Sequence, residues 1–375
     1  MQSTPGTSKS PRFLWPIDLL RFAFAAFVVV GHSYGFARLG DESWRVAYLD
    51  RVLPGGLWVT GFFVLSGYCI VAAERLHAEF DPRRYFAARL TRILPLYVLF
   101  FAASIVAEAI FAVVGGRPPS PWDVLPWTLA TQLTMTQGLF GPFGAFNPSW
   151  SLTHELICYF AWGALMAGVG RNLRSWQMIP LALVPFLVTA LIHAVVHQEV
   201  TWRVMSLPLY FFVWLLGAAA AETRHADLSP RRRATLIAAG AAFLVPLVWY
   251  FADPRVPETV GMVAFGIVLA IACLWLPFAP PAGPMLDRLS RLLGLASYPL
   301  YLGHGIVVVG ITVAEAHLPF HVDPLVHMIV TVGIAVVLSI VLGTPLERRI
   351  LVWRAAWLKR NYARDRANGP APAPL

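Results

Sequence analysis

The chain contains repeated runs of about twenty apolar residues, and these runs limit what it can fold into. A helix of that length crosses a hydrocarbon core about 30 Å thick, and only helices and closed barrels satisfy their backbone polar groups in lipid. Hydrophobic residues make up 58% of the 375-residue chain, and charged residues make up 13%. The short alternating strands of a barrel are not visible in the sequence. The sequence therefore predicts an all-α polytopic membrane protein.

We place about ten transmembrane helices along the chain, with ends that are uncertain by several residues. Their approximate bounds are 13–37, 52–73, 92–114, 149–169, 176–197, 204–222, 234–251, 260–278, 295–315 and 325–345. A weakly apolar piece at 123–140 is interpreted as a re-entrant or interfacial segment. An eleventh span there would move every later connection to the opposite side of the membrane.

The basic residues fall mainly on one side of the predicted spans. Of the 29 lysines and arginines, 22 lie in the termini and in the connections on the same side as the termini, whereas six lie on the opposite side. Because cytoplasmic loops carry the excess of Lys and Arg, this bias predicts that both termini are cytoplasmic. It also explains the net charge of +9 without a nucleic-acid partner.

The chain then divides into three parts. They are a flexible N-terminal tail at 1–12, a transmembrane domain at 13–345, and a basic and then Pro/Ala-rich cytoplasmic tail at 346–375. The three cysteines, Cys69, Cys158 and Cys273, lie in apolar runs without the spacing of a disulfide framework or a metal site. We therefore expect no metal.

The first span carries Arg21 and His32 within the otherwise apolar run DLLRFAFAAFVVVGHSY. Eleven positions on an α-helix end about 20° past whole turns, so both side chains leave the same face, about 16 Å apart along the axis. Charged residues in a span usually face a protein interior or a water-filled cavity. The alternative is an arginine that reaches the interface and a capped histidine, and this helix alone leaves both interpretations open.

Two further segments carry polar groups of interest. The second span contains GFFVLSGY, in which the glycines and Ser66 allow close helix approach or an opening in the bundle. Arg89 and Arg92, near the start of the third span, are three residues apart and therefore neighbours on a helix, which suits the binding of phosphates. The positive-inside bias explains the same arginines without a ligand.

The fourth span begins with NPSWSLTHELICYF. Ser151, Glu155 and Tyr159 recur every four residues, so one face of this helix is polar where lipid would reject it. A carboxylate in this position requires a partner. The structural alternative is a glutamate near a helix start, beside Trp150 as an interfacial anchor.

The ninth span contains SYPLYLGHGIVV, in which Ser297, Tyr301 and His304 share one helix face. His304 falls near the middle of the span. A histidine there is either a hydrogen-bonded packing residue or a group that takes part in chemistry. Glu347, just after the tenth span, is interpreted as an ion-pair partner of neighbouring arginines.

In order and over nearly the full length, these segments resemble acyltransferase family 3, the polytopic membrane O-acyltransferases that modify bacterial surface sugars. The resemblance rests on DLLRFAFAAFVVVGHSY, GFFVLSGY, YFAARLTRILPLY, PSWSLTHELICYF, SYPLYLGH and a terminal LERR. Arg21 and His32 match the family's arginine and histidine separated by ten residues. Arg89 and Arg92 match its paired arginines associated with the acyl-CoA donor.

Glu155 matches the family's acid after the Trp-Ser-Leu element, whereas Leu156 stands where many members carry a second acid. The resemblance therefore does not imply a role shared between two acids in this chain. Some members also carry a fused extracytoplasmic hydrolase-like domain, which this sequence does not show. That difference implies that the membrane part completes the transfer or hands the acyl group to a separate extracytoplasmic transferase.

The resemblance implies a multi-pass enzyme of the bacterial inner (cytoplasmic) membrane. Its reaction would move an acetyl or other short acyl group from cytoplasmic acyl-CoA to a hydroxyl of an extracytoplasmic or lipid-linked sugar. Acetyl-CoA or another short acyl-CoA is then a co-substrate, and no bound cofactor is expected. The alternative is a transporter or flippase of a glycan or small anionic substrate, since intramembrane Arg, His and Glu also mark substrate paths. No internal repeat supports that alternative.

On the acyltransferase hypothesis, His32 is the general base or the nucleophile, and Glu155 orients it. The donor is expected to bind near Arg21, Arg89 and Arg92. Residues expected to support the site are Ser66, Trp150, Ser151, Tyr301 and His304.

Overall fold

A computed structural model describes the chain from residue 15 to residue 362. The description leaves out 41–45, 47, 76–78, 116–125, 142, 170–173, 197–198 and 224–227. Within the described residues the protein is helical and contains no β-strand, which confirms the predicted all-α polytopic fold. The predicted tail at 1–12, the end of the chain after 362 and residues 123–125 of the predicted re-entrant segment lie outside the described residues.

The helices follow one another with short connections. In chain order they are α1 (Trp15–Gly40), α2 (Leu49–Val52), α3 (Gly55–Glu74), α4 (Pro82–Val114), α5 (Pro126–Leu133), α6 (Gln137–Phe140), α7 (Trp150–Val169), α8 (Ser175–Val196), α9 (Glu199–Glu222), α10 (Pro230–Ala252), α11 (Glu258–Cys273), α12 (Pro284–Glu315), α13 (Pro324–Leu338) and α14 (Thr344–Tyr362). Short 3₁₀ helices at Gly144–Ser149 and Leu276–Phe278 precede α7 and follow α11, and a π-helical segment at Ser339–Gly343 joins α13 to α14.

Nine helical segments in the described part of the chain are long and apolar enough to cross a membrane. They correspond to nine of the ten predicted spans. The remaining prediction, at 260–278, corresponds to α11, which has 16 residues and is therefore about 24 Å long. Because α11 packs against α3, α9 and α10, it belongs to the same bundle.

Several helices extend beyond the apolar runs that predicted them. α4 begins ten residues earlier than the predicted span, at Pro82, where the Asp81 side chain caps the helix by accepting from the Arg84 main-chain N–H at 3.2 Å. Proline in the first turn and aspartate at the N-cap both favour a helix start. The last helix continues through its π-helical segment to Tyr362. The arginines of α4 and the basic residues between 346 and 362 therefore lie on regular helix.

The connection between α4 and α7 forms no additional span in its described residues. Its longest helix, α5, has eight residues and is about 12 Å long. Two hydrogen bonds fasten the segment to its neighbours. The Tyr97 hydroxyl donates to the carbonyl of Gln132 at 2.8 Å, and the Gln137 side chain donates to the carbonyl of Ser149 at 2.9 Å.

Glycines set the spacing between α3 and α9. A Cβ on Gly67 would lie 2.0 Å from the carbonyl oxygen of Trp214, and a Cβ on Gly217 would lie 1.9 Å from that of Val64. Only hydrogen fits at such distances, as in other close helix crossings of membrane proteins. Of the two interpretations of GFFVLSGY, close approach therefore holds at Gly67, whereas the adjacent Ser66 lines a cavity.

The helix that carries Arg21 and His32 lies within the bundle, where α1 packs against α3, α12 and α13. Ala25 and Val29, on the face between these two residues, are completely inaccessible, whereas Phe27 on the other side is exposed. The polar face of α1 is therefore turned toward the protein interior, as the cost of a charge in lipid requires.

Candidate active site

A cavity of about 570 Å³ lies between α1, α3, α4, α7, α12 and α14. Its polar lining consists of five arginines, three carboxylates and six hydroxyls, from Arg21, Arg89, Arg92, Arg291, Arg354, Asp18, Glu155, Glu347, Ser66, Ser151, Ser297, Tyr159, Tyr298 and Tyr301. Apolar side chains such as Phe62 and Leu65 complete the wall. The excess of arginine over carboxylate favours an anionic ligand.

Arg21 reaches this cavity from the first turns of α1. It has no hydrogen bond and no ion pair within the described residues, although Asp18, one turn earlier, also lines the cavity. Asp18 is buried against α12, where a Cβ on Gly294 would lie 2.6 Å from its carboxyl carbon. The guanidinium of Arg21 is therefore available to a ligand.

Arg89 and Arg92 reach the cavity from α4, and both are already paired with carboxylates. Arg89 lies 3.3 Å from Glu74, whose other oxygen is 2.9 Å from Arg84. Arg92 forms an ion pair with Glu347, which confirms the interpretation of that glutamate, although its partner lies on α4 and not among the adjacent arginines of α14. An anion that binds these arginines must share them with the carboxylates or displace the carboxylates.

Arg354 is a cavity residue that the sequence analysis missed. Its guanidinium donates two hydrogen bonds to the carbonyl of Ala88, at 3.1 Å and 2.9 Å, which brings it beside the arginines of α4. The available signal was the spacing of Glu347, Leu351 and Arg354, which places all three on one helix face. The predicted span ended at 345, so this face was assigned to a tail.

The polar face of α7 also lines the cavity, as its four-residue spacing predicted. Glu155 accepts hydrogen bonds from the Ser66 hydroxyl at 3.2 Å and from the Tyr159 hydroxyl. Ser66 and Tyr159 lie 3.1 Å apart, so the carboxylate and the two hydroxyls form a closed triangle. Glu155 thereby has its partners on α3 and on its own helix.

Ser151, one turn before Glu155, joins α7 to α12. Its hydroxyl lies 2.6 Å from the hydroxyl of Tyr301, which donates its only proton to the carbonyl of Pro148 at 2.9 Å. Ser151 is consequently the donor in its contact with Tyr301. The Tyr301 ring also contacts the His304 ring, with centroids 6.0 Å apart.

His32 and His304 lie just beyond this wall and contact each other, with ring centroids 5.1 Å apart and planes at 66°. His304 is 1% exposed, whereas His32 is partly buried. The expected pairing of His32 with Glu155 is not formed within the described residues, because Glu155 bonds Ser66 and Tyr159. Helix direction placed both residues in adjoining parts of the bundle but could not identify their neighbours.

Trp150 does not line the cavity. Its ring packs against His154 and Tyr210, with centroids 5.5 Å and 5.7 Å away, in an aromatic cluster between α7 and α9. Within the described residues, no group of three or more His, Cys, Asp or Glu side chains is arranged to hold a metal ion.

The arrangement brings together the parts that a transfer of an acyl group from an anionic donor needs. Arginines surround one region of the cavity, the His304 imidazole lies beside Tyr301 at its wall, and the His32 imidazole lies next to His304. An imidazole can act as base or nucleophile. A polytopic helical bundle with such a buried polar site defines a class of intramembrane enzyme or transporter.

Comparison with known proteins decides between these classes. The family model described as an acyltransferase domain, that of acyltransferase family 3, matches residues 15–344. The chain belongs to this family and is a membrane acyltransferase. No significant match was found among curated proteins or among solved structures.

Proposed function

We propose that the protein transfers an acetyl or other short acyl group from acyl-CoA to a hydroxyl of an extracytoplasmic or lipid-linked sugar. The observation that carries this proposal is the joining of an arginine-lined cavity to a pair of histidines through Tyr301. Arginine is suited to the phosphates of a CoA ester, and imidazole is suited to proton transfer at a hydroxyl.

The donor phosphates bind at the arginine-lined region of the cavity. Arg21 has no ion-pair partner in the described residues and contributes directly, and Arg354 adds a cation beside the pair on α4. Arg89 and Arg92 exchange part of their contact with Glu74 and Glu347 for phosphate oxygens. The acyl end of the donor then extends along α1 toward His32, which lies about 16 Å from Arg21 along the helix.

His32 acts where the two substrates meet. The acceptor hydroxyl gives its proton to His32 while its oxygen attacks the thioester carbon, the carbon–sulfur bond breaks, and the CoA thiolate takes up the proton. The other route begins with attack by the imidazole and passes through an acyl-imidazole that the hydroxyl then cleaves. Glu155 acts through Ser66 and Tyr159, whose hydroxyls it holds at the cavity wall.

The acceptor side follows from the charge distribution. The 22 basic residues on the side of the termini favour a cytoplasmic position for that side. The cavity arginines Arg89 and Arg92 lie near the start of α4, which belongs to the same side. A donor from the cytoplasm and an acceptor on the opposite face fit a bacterial inner-membrane enzyme of polysaccharide modification. A separate extracytoplasmic transferase remains a partner to test.

The test is acyl transfer by the purified protein in proteoliposomes, with radiolabelled acetyl-CoA and a panel of sugars and glycolipids. We expect label in the glycan with wild-type protein and at least a 100-fold slower transfer with His32→Ala, because a positioned base contributes about 10²–10⁴-fold. Undiminished transfer by His32→Ala contradicts the role of His32. Movement of a substrate without covalent change supports a transporter instead.

A test of the donor site uses Arg21→Ala, since Arg21 forms no ion pair within the described residues and its removal leaves no bonded carboxylate without a partner. We expect a weaker affinity for acetyl-CoA, by about tenfold, with unchanged thermal stability. An unchanged affinity would remove Arg21 from the donor site.

A further inference from the structure

His304 is buried, and one of its nitrogens has no hydrogen-bond partner within the described residues. The side chain is 1% exposed, and its Nδ1 lies 2.8 Å from the carbonyl oxygen of Tyr301 and 3.2 Å from that of Leu300. Its Nε2 is inaccessible and makes no hydrogen bond. Because a buried unpaired polar group is costly, such an atom requires an explanation.

The contacts of Nδ1 determine the tautomer. A carbonyl oxygen only accepts hydrogen bonds, so Nδ1 carries the proton and donates it to the main chain of α12. In the neutral ring, Nε2 then holds a bare lone pair and is an acceptor. The main-chain carbonyls of α12 thus select the tautomer in which Nε2 of His304 can accept a proton or a hydrogen bond.

The ring next to that acceptor is His32. The centroids of the two imidazoles are 5.1 Å apart, and their planes are inclined at 66°. The His32 Nε2 lies on the side of Gly55, where a Cβ would be 3.7 Å away. Gly55 has no side chain to cover this nitrogen, and Nδ1 is the other ring nitrogen of His32 and the one assigned to His304 below.

We propose that His304 is the positioning residue of the transfer reaction, whose Nε2 accepts the Nδ1–H of His32 while Nε2 of His32 takes the acceptor proton. This proposal rests on the function proposed above. The second imidazole holds His32 in the reactive tautomer and stabilises the imidazolium that forms, as the buried third member of a catalytic triad does.

The proton balance is complete without another reactant. The acceptor O–H proton passes to His32 as the new carbon–oxygen bond forms and the carbon–sulfur bond of the thioester breaks. The CoA thiolate then takes this proton, and both histidines return to their neutral forms. His304 contributes a hydrogen bond throughout and no net proton. A small rotation of His32 aligns this bond, since catalytic hydrogen bonds often tighten only when substrate is bound.

Two substitutions of His304 separate this role from a packing role. His304→Asn keeps an N–H where Nδ1 was and can still donate to the main chain, but it loses the acceptor at the position of Nε2. His304→Gln places an amide oxygen near the position of Nε2 and does not reproduce the Nδ1–H. The proposal predicts that Gln retains more activity than Asn, whereas a packing role predicts the reverse.

The experiment measures kcat and KM for acetyl-CoA with both variants in proteoliposomes, together with thermal unfolding. We expect His304→Asn to lower kcat by about 100-fold with a nearly unchanged KM, and His304→Gln to lower kcat by about tenfold. His154→Gln is the matched control. This histidine is equally buried, but its nitrogens are bonded to the Trp150 carbonyl and to Ser206, away from His32.

The outcomes are distinguishable. A higher kcat for His304→Asn than for His304→Gln, or wild-type kcat in both, overturns the role of His304 while leaving the proposed function intact. A wild-type protein that transfers no acyl group to any glycan overturns the proposed function itself. If both variants of His304 unfold, the ¹⁵N chemical shifts of the His32 imidazole in the wild-type protein test the same pair, with the signals assigned by their loss in His32→Ala. The proposal predicts the tautomer with the proton on Nδ1 and the lone pair on Nε2, and it is overturned by the tautomer with the proton on Nε2.

Discussion

Glu347 and Arg92 form an ion pair between α14 and α4 in which the carboxylate side chain is 1% exposed and the guanidinium side chain is 22% exposed. The pair joins the last helix to the helix that carries the predicted donor-binding arginines. A buried charge is tolerated when it is paired, and the loss of one partner leaves the other uncompensated.

Arg92→Ala is therefore expected to destabilise the protein by about 3–5 kcal/mol, because it leaves the Glu347 carboxylate buried without its partner. Thermal unfolding in detergent measures this effect. The double variant Arg92→Ala with Glu347→Gln should recover part of the stability, since the uncompensated charge is gone. Additive losses in the double variant would show that the two side chains do not depend on each other.

Arg354 is expected to contribute to donor binding although it lies in a region that looks like a basic tail. Arg354→Ala should weaken acetyl-CoA binding by about tenfold, because it removes a cation from the cavity wall. Arg354→Lys should recover only part of the affinity, since lysine cannot reproduce the forked contact with the Ala88 carbonyl.

The matched control for Arg354 is Arg360→Ala, an exposed arginine on the same helix outside the cavity lining. Isothermal titration with acetyl-CoA should give wild-type affinity for this control. Equal affinities for the two alanine variants would show that Arg354 does not bind the donor and belongs only to the general excess of basic residues on the side of the termini.

Gly67 is expected to be required for assembly of α3 against α9. Gly67→Ala places a methyl group 2.0 Å from the Trp214 carbonyl oxygen, so the helices must separate, at a cost of about 1–3 kcal/mol or more. Gly333→Ala is the control, because no atom lies within 4 Å of a Cβ at that helical position. Circular dichroism melting should show a clear loss for Gly67→Ala alone, and a wild-type melting temperature would contradict the close contact.

Gly55 is expected to control access to His32. Gly55→Ala places a methyl group 3.7 Å from His32 Nε2, an ordinary contact that the fold accepts but that occupies the approach of a hydroxyl. We expect kcat/KM for the sugar acceptor to fall by about 10- to 100-fold with unchanged acetyl-CoA binding.

Gly35→Ala, on α1 with no atom within 4 Å of the added Cβ, is the control for Gly55→Ala. It should transfer acyl groups at the wild-type rate. If Gly55→Ala also retains full acceptor kinetics, Nε2 of His32 is not the nitrogen that meets the hydroxyl.

Sequence patterns were sufficient to predict the membrane-spanning helices and the polar face of α7 that lines the cavity. Apolar runs predicted the spans because lipid excludes polar side chains over a fixed thickness. The four-residue spacing of Ser151, Glu155 and Tyr159 predicted a polar helix face, and this face lines the cavity. Such features depend only on positions along one helix.

Features that depend on contacts between helices were not accessible from the sequence. The apolar run that predicted the last span ends near residue 345. The sequence therefore did not predict that the helix continues to Tyr362 and carries Arg354 into the cavity wall. The directions of the helices predicted that His32 and Glu155 lie in adjoining regions of the bundle. Hydrogen-bond partners depend on contacts between side chains, and Glu155 bonds Ser66 and Tyr159. Trp150, expected at the site, packs outside the cavity for the same reason.

His32, as the group proposed to move an acyl unit onto a sugar hydroxyl, is the residue on which the proposed function depends most. Mass spectrometry of surface polysaccharides and glycolipids tests this directly, in cells that carry the wild-type protein or His32→Ala at equal membrane abundance. We predict an acyl ester on one glycan with the wild-type protein and its loss with the variant. The same ester at wild-type level in the His32→Ala cells would contradict the account.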